Sequence, residues 1–130
     1  MLPPVEQRLR ATVTSWPTGP ATLVPTHGDW QPRNWLIEDG LVSVIDFGRA
    51  DLRPAGTDLI RLAAGEFRAA PDLEAAFIDG YGDDPRETDA WNRTRLREAI
   101  GTAVWAFRVG DEMFEAQGHR MIAEALEAAG

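Results

Sequence analysis

Cysteine is missing from this 130-residue chain, and so is lysine: all 13 basic residues are arginine. Without cysteine there is no disulfide framework and no thiolate metal site. Without lysine the chain offers no ammonium side chain anywhere. No apolar run approaches the roughly 18 residues that a membrane-spanning helix needs. The opening Met1-Leu2-Pro3-Pro4-Val5-Glu6 lacks the charged-then-apolar layout of a signal peptide, so a cytoplasmic location is the default expectation. Positive charge is scarce: 13 basic residues against 21 acidic ones give a net charge of −8. That argues against a nucleic-acid partner, whose phosphates select basic surfaces. It permits a cationic small molecule, although surface solubility accounts for the charge equally well. Internal repeats and low-complexity tracts are absent too.

What is present reads as an ordinary globular balance, 44% hydrophobic and 26% charged, long enough for one domain with a real core. Pro3 and Pro4 precede an amphipathic run to about Ser15, with Val5, Leu9 and Val13 at helical spacing. Trp16-Pro17-Thr18-Gly19-Pro20 breaks it. Thr22-Leu23-Val24-Pro25 is extended. Trp35-Leu36-Ile37 and Leu41-Val42-Ser43-Val44-Ile45 flank Glu38-Asp39-Gly40, which predicts a β-hairpin. The chain then reads as irregular from Gly48 to about Gly56. Helices are expected over about Thr57 to Ala64, Pro71 to Gly80, Arg86 to Gly110 and Asp111 to Ala129. The long third one carries Trp91, Leu96, Ile100, Val104 and Phe107 on related faces. The class is α+β, mostly α.

One stretch carries chemistry. His27-Gly28-Asp29 is followed by Asn34 and then by Asp46-Phe47-Gly48, so the chain reads H-G-D-x-x-x-x-N and then D-F-G. Protein kinases space a catalytic base and two magnesium ligands in this way. Phosphoryl transfer asks for a carboxylate that orients a hydroxyl and for hard oxygen ligands that hold metal-bound phosphates. The predicted hairpin brings Asn34, just before its first strand, beside Asp46, just after its second, because residues paired across a hairpin lie about 5 Å apart. Asp29 enters from the loop at the same end. Pro32 stiffens that loop, and Gly28 and Gly48 allow backbone shapes that other residues resist. Taken singly, Asp29 is a turn carboxylate, Asn34 a cap at the strand start and Asp46 a loop opener. His27 reads as a residue that bonds the backbone and holds the loop. Either D-F-G or H-G-D alone is a weak signal; the composite is a strong one.

At these residues the chain resembles the aminoglycoside phosphotransferase and choline kinase-like family, which has H-G-D where protein kinases have H-R-D. The likeness runs through His27 to Leu36 and Val44 to Ala50, then to Pro54 and Thr57-Asp58-Leu59. It is close over about Leu23 to Ala64. The resemblance implies a protein-kinase-like C-terminal lobe, in which a catalytic-loop hairpin is followed by a helical bundle. It implies Asp29 as base, with Asn34 and Asp46 holding Mg²⁺ and through it ATP or another nucleoside triphosphate. It implies Asp58 as a structural support bonding back to the catalytic loop. The acceptor would be a hydroxyl of an aminoglycoside, choline or another metabolite-like molecule. A single domain over 1–130 is expected, with 1–26 as lead-in helix and extended segment, 27–58 as catalytic and metal-binding loops, and 59–130 as helical substrate side.

The sequence also departs from that pattern. Gln31 stands where many relatives carry His, and Arg53 replaces the usual acidic residue before Pro54. Only 26 residues precede His27, too few for the family's nucleotide-covering lobe, and no G-x-G-x-x-G loop is among them. The expectation is therefore a lobe without its ATP-covering partner, with little or no activity alone. Trp105, Asp111 and Glu112 offer a candidate substrate surface, where aromatic and acidic groups would suit an ammonium; Trp105 as core and the acids as helix caps is the plainer alternative. Against the phosphotransferase reading stands a non-catalytic helical interaction module, self-associating or pairing with a separate lobe. Metal-dependent phosphate-ester hydrolysis is the remaining alternative.

Overall fold

The computed structural model describes residues 2–17 and 21–128. In chain order, α1 spans Pro3–Thr14, β1 Leu23–Thr26, β2 Trp35–Glu38, β3 Leu41–Val44 and β4 Asp51–Pro54. Then follow α2 (Ile60–Ala64), α3 (Glu66–Ala69), α4 (Pro71–Tyr81), α5 (Thr88–Val109) and α6 (Glu112–Ala128), with 3-10 turns at Pro32–Asn34 and Thr57–Leu59. The class is α+β and mostly helical, with small antiparallel sheets. Thr18, Gly19 and Pro20 of the expected breaker, and Ala129 at the expected helix end, lie outside the described residues. No helix among the described residues is long and apolar enough to cross a membrane. The chain divides into two compact units, residues 1–20 with 88–130, and residues 21–87.

The unit of residues 21–87 is built on two ribbons. β2 and β3 pair with Glu38 opposite Leu41, so Asp39 and Gly40 form the whole turn. Both have positive φ, 52° and 76°, the two-residue geometry whose twist suits a hairpin. The second ribbon was not expected. β4 pairs antiparallel with β1, from Leu23 opposite Pro54 to Thr26 opposite Asp51, over residues that read as irregular. Proline lacks an amide donor and is tolerated at sheet edges, where a two-stranded ribbon places every residue. Arg53 donates to Thr26 Oγ1 (2.7 Å), and Thr26 Oγ1 donates to the Asp51 carbonyl (2.7 Å), locking the pair. From the last residue of the Thr57–Leu59 turn onward, Leu59, Ile60, Leu62 and Phe67 are buried. Phe67 packs on Phe77 of α4 with centroids 5.6 Å apart. Arg86 closes the unit, pairing with Glu74 at 3.0 Å and Asp84 at 2.8 Å.

The other unit joins α1 to the α5–α6 pair. Leu96, Ala99, Ala103 and Ala106 recur at three- and four-residue spacing on α5 and are buried. They meet Gly118, Ile122, Ala125 and Leu126 of α6. A Cβ at Gly118 would lie 2.6 Å from the Ala103 amide nitrogen, so the helix backbones nearly touch. This close approach corrects the expected α5 face. Small residues form the seam, and Val104 and Phe107 are exposed. The link between the helices ends α5 with Gly110 at φ 77° and Asp111 N–H donating to the Ala106 carbonyl (2.9 Å), a left-handed C-terminal stop. Asp111 Oδ1 then accepts the Phe114 N–H at 3.0 Å and caps α6. Val5 and Leu9 of α1 pack against this core, and Arg8 donates to the Leu126 carbonyl at 2.8 Å.

Candidate active site

His27, Gly28 and Asp29 follow β1 directly, and their backbone is held by one distant carboxylate. Asp58, in the 3-10 turn before α2, accepts the His27 N–H on Oδ2 (2.8 Å) and the Gly28 N–H on Oδ1 (2.9 Å). Gly28 has φ 91°, and a Cβ there would fall 2.2 Å from the Arg49 carbonyl oxygen. Only glycine fits that crossing. Gly48 does not share the requirement: its φ is not positive and a Cβ would meet Asp46 Oδ1 at an ordinary 3.5 Å. The strained residue near it is Asp46 itself, at φ 63°, and non-glycine residues with such backbones cluster at functional sites.

The buried His27 ring is fully employed. Nε2 donates to the Ile45 carbonyl (2.8 Å), and Nδ1 accepts the Asp29 N–H (3.1 Å). These two bonds fix the ring's orientation and tie the loop to the end of β3. The ring also packs against Phe47, with centroids 4.8 Å apart, and Trp30, at 5.7 Å. An adjoining cavity of about 320 Å³ is lined by Val24, His27, Trp30, Phe47 and Phe77 among others.

Asp29 is buried at the centre of a ring of donors. Gln31 Nε2 donates to Oδ1, and the Arg61 guanidinium stands 3.1 Å from the same oxygen. Arg33 donates to Oδ2 at 2.9 Å, and Asn34 Nδ2 donates to Oδ2 at 3.1 Å and to the Asp29 carbonyl at 2.8 Å. The Arg33 hydrogen bond above all, then those of Asn34 and Gln31 and the charge of Arg61, outweigh the opposing effect of burial. They bring the carboxyl down to about 2. At neutral pH it is a carboxylate, able to accept and orient a hydroxyl proton.

Asn34 is buried at the end of the Pro32–Asn34 turn. Its carbonyl accepts the Ile45 N–H at 3.0 Å, one step beyond the Trp35–Val44 ladder pair, so Asp46 is the next residue along. With Nδ2 committed to Asp29, the Asn34 side chain has only its amide oxygen left to offer a ligand. Asp46 is exposed. An amide oxygen and a carboxylate are the hard donors that magnesium prefers, and this donor set fits it. Among the described residues no three acidic or histidine side chains converge on a metal-sized site. Magnesium commonly takes one or two protein ligands, with substrate phosphates and water completing the shell.

The structure joins Asp29 to Asn34 by hydrogen bonds, and Asp58 to the backbone of His27 and Gly28. Trp105, Asp111 and Glu112 belong to the other compact unit. There Trp105 stands edge-on to Phe114 at 5.6 Å, and the Asp111 carboxylate is the cap of α6. Gln31, Arg33 and Arg61 went unnoticed as partners of Asp29. For Arg61 the signal lay in Asp58: if that residue braces the loop, the side chain three positions later faces the same way one helical turn on.

A family model described as a phosphotransferase enzyme family matches residues 2–96. The match is wider than the stretch over which the motif likeness is close, and it takes in Asp29, Asn34, Asp46 and Asp58. Comparisons with curated proteins and with solved structures gave no match.

Proposed function

The chain belongs to the phosphotransferase enzyme family, and from that premise we propose that it transfers the γ-phosphoryl group of ATP to a hydroxyl of a small molecule, with Mg²⁺. The observation that carries this reading is the linked set around Asp29, in which an ionised carboxylate is bonded to the amide of Asn34. Asp29 would accept the acceptor hydroxyl, hold its oxygen in line with the phosphorus and take the proton late. Asn34, through its remaining amide oxygen, and Asp46, through its exposed carboxylate, would hold the metal. The bound ion supplies neutralising charge for the phosphates. Asp58 keeps the loop in register by bonding two successive amides. His27, saturated by its own hydrogen bonds, takes no proton in this scheme.

Beside Asn34 at the open end of the hairpin stand Leu36 of β2 and Ile45, one residue past β3. Both are exposed. They supply an apolar floor beside the metal ligands for the flat part of a nucleotide.

Two measurements test the proposal. In an ATP-consumption assay across a panel of hydroxyl compounds, Asp29→Asn should lower kcat by at least about 100-fold, the usual scale for loss of a proton acceptor. Equal turnover by both proteins would end the role of Asp29. Independently of turnover, Mn²⁺ with nucleotide should broaden the amide resonances around Asn34 and Asp46. An Asp46→Asn protein that broadens identically would remove Asp46 from the metal site.

A second reading is favoured by one observation. Ile37 is 75% exposed and Leu41 72% on a two-stranded ribbon, so the hairpin offers an apolar surface to a further lobe or a second chain. In that reading the chain reaches full activity only when paired.

A further inference from the structure

We propose that Arg33 and Arg61 form an anion subsite at the rim of Asp29, filled by the phosphoryl oxygens of a substrate. The assignment rests on the phosphotransferase reading for the identity of its ligand, but not for its geometry. Positioning Asp29 does not require two arginines. Each carboxylate oxygen already has a neutral amide donor, Gln31 on Oδ1 and Asn34 on Oδ2. The guanidiniums come in addition, Arg61 at 3.1 Å from Oδ1 and Arg33 at 2.9 Å from Oδ2. Two cations around one anion leave an excess of one positive charge at this point, in a chain whose net charge is −8.

Both side chains also have room for a second partner. The Arg33 side chain is 67% exposed and that of Arg61 is 40% exposed, whereas the Asp29 side chain between them is 8% exposed. Asp29 is the only ion-pair partner of either guanidinium among the described residues. A guanidinium carries five N–H groups in a planar fork that matches phosphate oxygens, and one contact with Asp29 leaves most of them unused. A hydroxyl resting on Asp29 has its attacked phosphorus directly beyond it, which brings the phosphoryl oxygens to the flanking arginines. Arg33 and Arg61 are positioned to balance charge that no lysine in this sequence can balance.

The test reads the arginine Nε–Hε resonances of the 130-residue chain during titration with inorganic phosphate, against sodium chloride at matched ionic strength. Arg33 and Arg61 should shift together and saturably with phosphate and not with chloride. Arg33→Gln and Arg61→Gln should each weaken phosphate binding about tenfold, the scale of a lost charge-assisted hydrogen bond. Arg120→Gln, on the surface of α6 beside Glu124, should bind phosphate as the parent does. Asp29→Asn should bind phosphate several-fold more tightly, because the carboxylate no longer competes for the guanidiniums. A purely structural pair would show no such gain.

Repeating the titration with a saturating non-hydrolysable ATP analogue separates the sources. Displacement of phosphate assigns the subsite to the nucleotide; retention assigns it to a phosphorylated acceptor. Resonances of Arg33 and Arg61 that ignore phosphate, or variants that bind it like the parent, would overturn the subsite. Phosphate binding together with turnover that Asp29→Asn leaves unchanged would instead leave the subsite standing and count against the kinase reading alone.

Discussion

The tightest constraint on any single residue falls on Gly28. Its φ of 91° and a would-be Cβ only 2.2 Å from the Arg49 carbonyl oxygen leave no substitute. Gly28→Ala should cost about 2–4 kcal/mol, combining left-handed strain with overpacking against rigid backbone. Urea denaturation would read this as a lower midpoint at unchanged slope, and an unshifted midpoint would contradict it. Legibility at this scale followed chemistry of fixed spacing. His27, Asp29, Asn34 and Asp46 stand out because a pattern of residue types at set intervals survives without knowledge of the fold. Gln31 and Arg33 sit within that same pattern but at positions where residue type varies, so nothing marked them as partners of Asp29. Arg61 is 32 positions away, and only the Asp58 brace brings it there. The strain expected at Gly48 falls instead on Asp46, whose short polar side chain tolerates positive φ better than most.

Among the elements, the hairpin was legible because Asp39-Gly40 states its own turn geometry, while β4 was not, because its identity comes from its partner. Asp51-Leu52-Arg53-Pro54 has little β-propensity and ends in proline; pairing with β1 decides it. The α5 face failed for a related reason. Periodicity marks large apolar residues, and here the buried stripe is mostly alanine because Gly118 lets the two backbones close up. The two helix glycines should therefore respond in opposite senses. A Cβ at Gly101 of α5 meets nothing within 4 Å, so Gly101→Ala should stabilise by about 0.5–1 kcal/mol through helix propensity alone. At Gly118 the same methyl would press on the Ala103 backbone, at 2.6 Å from its nitrogen. Gly118→Ala should lose about 1–3 kcal/mol from overpacking, more than propensity returns. Thermal melts of the pair would decide the matter, and stabilisation by both would refute the close α5–α6 crossing.

At the scale of the whole molecule, the sequence conveyed the α+β class and the helical second half, because helical periodicity and capping residues are local signals. It did not convey that residues 1–20 group with residues 88–130 as one compact unit, since no local pattern records which distant helices meet. The exposed apolar hairpin is likewise a property of the assembled chain: Leu36, Ile37, Leu41 and Val42 are unremarkable strand residues until both ribbon faces are found open. A two-stranded ribbon is marginally stable in water and gains by covering such faces. Against association stands the net charge of −8, whose repulsion weakens as salt screens it. Self-association should therefore rise with both protein concentration and ionic strength. Ile37 and Val42 are directly opposed in the ladder and share one face, so replacing both with Lys places like charges side by side on the covered surface. Size-exclusion chromatography with light scattering should find the parent chain growing in mass as salt is raised, and Ile37→Lys/Val42→Lys remaining monomeric. A parent chain that stays monomeric throughout would mean that the ribbon's apolar faces do not drive pairing, and the reading in which the chain needs a partner would lose its support.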